Sequence, residues 1–163
     1  MGIDKKKYQQ VIIYFCHALN GEVRGKKKLA KLLYFADFDF FEKMQTAITG
    51  DVYKALPMGP FPVSLEGVSA DMHKKGLLNI QTIPERSGYH PTEVYCAITK
   101  PDTSVFSKEE VQMLHRVVTK YGHLNGKQLE DLTHQEAPYV GTASQQEIPY
   151  ELAFYRGTDF SEP

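Results

Sequence analysis

The sequence predicts an α+β fold, mainly α-helical, with about five helices, a small antiparallel β-hairpin and a partly winged-helix-like order of elements. Three observations carry that reading. Apolar residues recur at helical spacing in four stretches, within 8–19, 29–41, 61–72 and 111–121. Two segments, Leu77 to Ile83 and Glu93 to Thr99, read instead as strands. The order helix, helix, short strand, helix, hairpin is that of a winged helix. With 163 residues and 42% apolar content the chain is long enough to bury one core, so a single domain over 1–163 is expected.

Tyr8, Val11, Ile12, Phe15 and Leu19 mark one face of a first helix from near Asp4, stopped by Asn20-Gly21. The second helix, 26–41, has two apolar stripes. Leu29, Leu32, Leu33, Ala36 and Phe40 form one, and Tyr34, Phe38 and Phe41 form the other on nearly the opposite side. Asp37 falls between them and Asp39 away from both. Such a helix is either enclosed at the centre or keeps one face for a partner. Lys26 to Lys28 oppose the dipole at its start, so either it begins nearer Leu29 or the lysines serve another purpose.

An extended segment follows, from Asp51 to Leu56. Three prolines and a glycine between Pro57 and Pro62 then argue against regular structure, with Pro62 placed to open a third helix that ends at Lys74-Lys75-Gly76. Pro84 to Gly88 is turn-like and joins the two strands of the hairpin. Ser107 to Glu110 is a capping box that opens a helix ending at Gly122. Asn125 with Gln128 starts a shorter one. The segment 138–163 is expected to be irregular but docked, because Ile148, Tyr150, Leu152, Phe154 and Tyr155 are too apolar for a free tail.

The formal charge of −1 is a cancellation. Residues 1–31 form a basic head of net +6, with Lys5, Lys6, Lys7, Arg24, Lys26, Lys27, Lys28 and Lys31 against Asp4 and Glu22; the remainder carries −7. The head either meets an acidic partner or packs on the acidic body, and a solvated lysine run is the plain alternative. A DNA reader of winged-helix type would need a basic third helix, and here Glu66 and Asp71 offset Lys74 and Lys75. DNA binding is therefore not favoured and would fall to the head.

No apolar run approaches the roughly 20 residues that span a bilayer. The start Met-Gly-Ile-Asp-Lys-Lys-Lys is no secretory leader, and Cys16 and Cys96 are too few for a disulfide scaffold. A reduced, cytoplasmic protein is expected. The six histidines, His17, His73, His90, His115, His123 and His134, form no metal-binding pair of recognised spacing. Asp37 and Asp39 diverge on their helix, while Asp131 and His134 are close enough to touch. Nothing names a reaction, so no catalytic residue, metal or cofactor is expected.

Lys28-Leu29-Ala30-Lys31-Leu32-Leu33-Tyr34-Phe35-Ala36-Asp37 resembles the Lys-Leu-x-Lys-Leu-Leu-Tyr-Phe-Ala core of the Panacea, or SocA-like, antitoxin domain, a family that includes GepA-like phage-associated proteins. Ile48-Thr49-Gly50, Tyr53, Ala55, Gly59-Pro60, Ser107 to Glu110, Tyr121-Gly122, Leu129 to His134 and Pro138-Tyr139 follow in the family's order. Tyr139 stands where the family usually has tryptophan, and Phe61 follows the Gly-Pro turn where valine is common. The resemblance implies a non-enzymatic antitoxin that neutralises a toxin from an adjacent gene by direct complex, or delivers it as an adaptor to a ClpXP-type protease. It implies a partner surface of Tyr34, Asp37, Phe38, Phe41, Tyr53, Gly59, Pro60, Phe61 and His134, rimmed by Lys26, Lys27, Lys28 and Lys31. The rim equally suits the acidic body of a second copy, as in a homodimer. In the competing reading the stripe and the turn are both core and fix the third helix. A winged-helix-like DNA-binding regulator of a phage or mobile element is the alternative function.

Overall fold

Asp4 opens the first helix, α1 (Lys5–Ala18), by accepting the Lys7 amide at 3.1 Å, and Asn20 and Gly21, both at positive φ, end it. The computed structural model describes residues 2–85 and 90–162. After α1 the chain forms β1 (Glu22–Arg24) and α2 (Lys26–Met44). It continues through β2 (Tyr53–Leu56), β3 (Gly59–Pro62), α3 (Leu65–Lys74), β4 (Leu78–Ile83) and β5 (Thr92–Ala97). The helices α4 (Lys108–Tyr121), α5 (Gly126–His134) and α6 (Ala137–Val140) follow, with 3-10 turns at Thr103–Val105 and Tyr150–Tyr155. This is an α+β fold, mainly helical, with small antiparallel sheets.

The two stripes on α2 have one explanation: every residue from Leu29 to Phe41 is buried. Helices α4 and α5, strand β3 and the Tyr150–Tyr155 turn pack round it. Asp39, expected on neither stripe, is therefore also inside, and α2 does begin at Lys26.

Three elements differ from expectation. Gly21 to Gly25 holds β1, which pairs with β5 (Val23 opposite Tyr95) and completes a sheet of order β1-β5-β4. The proline-rich turn is strand β3, hydrogen-bonded to β2 with Ala55 opposite Pro60. Prolines fit there because a two-stranded sheet has only edge strands, whose outward side needs no N–H. Pro62 accordingly closes β3, and α3 starts three residues later. The β4–β5 hairpin is present, but Arg86 to Gly88 of its expected turn lie outside the described residues.

Both sequence-read caps of the later helices are made in full. Ser107 and Glu110 each bond the other's amide, as do Asn125 and Gln128. The C-terminal segment, expected to be irregular, carries most of α6 and the Tyr150–Tyr155 3-10 turn, and it packs on β2 and α2. Ile148 donates its amide to the Tyr53 carbonyl at 2.8 Å, and Ala55 donates to Gln146 at 3.0 Å, which covers the outer edge of β2.

Candidate partner-binding site

Two buried carboxylates hold α2 in place. Asp37 accepts four bonds: the Ile48 amide at 2.9 Å, the Thr49 amide at 2.7 Å, the Thr49 hydroxyl at 2.5 Å and the Tyr53 hydroxyl at 2.6 Å. The Ile-Thr-Gly segment thus serves as an amide cradle for a carboxylate that burial raises above its ordinary pKa, against the pull of those bonds. Asp51, two residues after Thr49, is a second buried acceptor and takes the Tyr8 hydroxyl at 2.7 Å and the Ser64 amide at 3.0 Å. Asp39 points the other way, to Arg116 at 3.0 Å and to Arg156. Burial works against the Arg156 charge, but Asp39, Tyr34 and Glu136 outweigh it and hold its pKa above the ordinary value. Sequence reading missed this cluster because Arg156 lies 117 residues from Asp39.

The aromatic stripe is used inside the chain. Tyr34 and Phe38 are fully buried and stack at 4.6 Å between ring centres, and Phe38 stacks in turn on Tyr150 at 4.6 Å. Phe41 lies under Tyr150 and Phe154. Tyr34 also donates its hydroxyl to Glu136 at 2.7 Å. Asp37, Phe38 and Tyr53 therefore meet one another in the core and present no surface. His134 stacks on Tyr139 at 4.7 Å, and Tyr139 donates to the Leu56 carbonyl at 2.6 Å, which ties α5 and α6 to the β2–β3 hairpin. Asp131 pairs with Lys127 rather than with His134.

Half of the basic head, four of its eight cations, is matched by acids of the body among the described residues. Lys5 meets Asp71, Lys7 meets Glu110, Lys26 meets Glu66 at 2.9 Å and Glu93 at 3.7 Å, and Lys27 meets Glu130 at 2.7 Å. Lys28 donates to the Gly122 carbonyl. These pairs account for lysines at the wrong end of a helix dipole. Lys31 differs. It is 1% exposed, donates to the Pro60 carbonyl at 3.0 Å, and has no carboxylate within ion-pair distance among the described residues. Burial, aided by the Lys27 charge, lowers its pKa to about 8. Gly59 makes room for it: at φ 108°, a Cβ there would sit 2.8 Å from Lys31 Cε and 2.9 Å from Thr133 Oγ1.

Of the expected residues, Lys26, Lys27, Lys31 and Phe61 come together on an open cavity of about 700 Å³, with Gly59 and Pro60 behind its wall. Met58, 60% exposed at the β2–β3 tip, and Pro91, Thr92 and Glu93 complete it. An apolar residue in a hairpin tip was a signal for Met58; the wall from β5 had none. The start of α2 borders the cavity without a side-chain cap at Gly25, and the Lys26, Lys27 and Lys28 amides take no acceptor among the described residues. No cluster of three or more metal-ligating side chains occurs among the described residues, and no helix there is long and apolar enough to cross a membrane. Cys16 is core, its thiol pushed up to about 12 by burial.

The family described as antitoxin SocA-like, Panacea domain, matches residues 29–139. No curated protein and no solved structure matches the chain. The matched segment runs from the Lys31 wall of the cavity through β2, β3, β4 and β5 to Tyr139. Since it spans more than half of the sequence, the chain belongs to the antitoxin SocA-like family of Panacea domains.

Proposed function

We propose that this protein is an antitoxin that neutralises a cognate toxin, made from a neighbouring gene, by direct complex formation in the cytoplasm. The observation that carries the reading is the family match over 29–139. The partner's anchor point is the cavity at the β2–β3 hairpin. It is open, its Phe61 and Met58 are reachable, and it lies within the matched segment apart from the first turn of α2. Accessible apolar anchors beside charged groups are the usual centre of a protein interface. The aromatic stripe on α2 acts at one remove, by holding that hairpin against the helix.

Co-expression with the product of the adjacent gene tests the proposal. That product alone should arrest growth; with this protein, growth should resume and the two should co-purify. A harmless neighbour that does not co-purify would overturn it. A toxin whose half-life shortens when this protein is present, and only in cells that have a ClpXP-type protease, would mark the adaptor form of the same activity.

A further inference from the structure

The cavity at the start of α2 has an unbalanced feature. Lys31 is a buried ammonium that uses one N–H on the Pro60 carbonyl. Two donors remain; among the described residues no carboxylate is within ion-pair distance, and Glu130, the acid that acts on its charge, is held by Lys27 and Lys127. An isolated buried charge is costly, and proteins keep one where something pairs with it. Beside it are the open first amides of a 19-residue helix, whose dipole adds positive potential at the same place. The other wall is apolar, from Phe61, Met58 and Pro91.

We infer that this cavity receives a single carboxylate of the partner polypeptide, seated between Lys31 and the α2 amides, with an adjoining apolar side chain against Phe61 and Met58. The inference rests on the antitoxin reading for its source of ligand. A carboxylate fits better than a phosphate because Lys26 and Lys27 are already paired with acids, and Glu85 and Glu93 stand on the rim. One cation without a direct ion-pair partner among the described residues suits one negative charge; a dianion would face both rim carboxylates.

The test is a titration of the full chain followed by amide NMR, with N-acetyl-phenylalanine as probe, its neutral carboxamide as twin, and inorganic phosphate as a third arm. The acid should give saturable shifts at Lys26 to Lys28 and Phe61, with a dissociation constant on the order of millimolar. The carboxamide and phosphate should each bind at least about tenfold more weakly. Met58→Glu, at an exposed tip that leaves the fold intact, should weaken the acid about tenfold, as should Lys31→Met if that variant folds. Equal binding of acid and carboxamide, tighter binding of phosphate, shifts elsewhere or no saturable shift would each overturn the inference. Co-purification separates it from the antitoxin reading. A toxin held equally well by wild type and Met58→Glu refutes the carboxylate site and the hairpin anchor and leaves the antitoxin reading standing. A neighbour never held by wild type, with the titration positive, refutes the antitoxin reading alone.

Discussion

Lys31 is the residue on which fold and site meet. Its folded pKa of about 8 lies below the ordinary 10.5, so between those values the unfolded chain holds a proton that the folded chain has released. Stability from this group therefore rises as pH rises through that window. The unfolding free energy of wild type relative to Lys31→Met should climb by up to about 3 kcal/mol from pH 7 to pH 10.5, measured by denaturant unfolding. A flat difference would mean that the amine is hydrated. Gly59→Ala should lower stability by about 2 kcal/mol, because it combines a left-handed φ with contacts below 3 Å to Lys31 and Thr133. The Lys-x-x-Lys spacing and the Gly-Pro pair were legible as motifs. That Lys31 reaches across to Pro60 was not, since no local pattern reveals a contact between residues 29 apart.

At the scale of elements, α2 explains most of the architecture. Two apolar stripes on one helix mean enclosure, and that much stood in the sequence. What encloses it did not, because the Tyr150–Tyr155 turn has no helical or strand period to announce it. Its anchor is Arg156, 3% exposed at the side chain and set among Asp39, Glu42 and Glu136. Arg156→Met should cost about 3–5 kcal/mol, because it leaves buried carboxylates unpaired. Fluorescence or amide exchange should show Tyr150 and Phe154 loosened from Phe38 and Phe41. A loss under about 1 kcal/mol would mean that the segment docks by its aromatics alone. Strands β1 and β3 escaped sequence reading for separate reasons: β1 is three residues long and β3 carries two prolines, and both exist because a partner strand is at hand.

For the whole molecule, the charge division between head and body is in half of the head's cations an internal match rather than a free surface. Lys26→Glu with Lys27→Glu should lower stability by roughly 1 kcal/mol, with the gap narrowing as salt is raised. No change on raising salt would place these pairs outside the folding balance. The fold class was readable from period and order, and the family from motifs in order. The location of the reachable surface was not, because burial of the stripe depends on a segment more than a hundred residues away. The proposed function is direct capture of a toxin through the hairpin cavity. Its most direct measurement is co-purification of the neighbouring gene's product with wild type and with Met58→Glu, scored beside growth. Wild type should rescue growth and retain the product at equal stoichiometry, while Met58→Glu, folded to the same extent, should retain and rescue markedly less. A neighbouring product that is harmless, toxic but never retained by wild type, or retained equally well by Met58→Glu would contradict it.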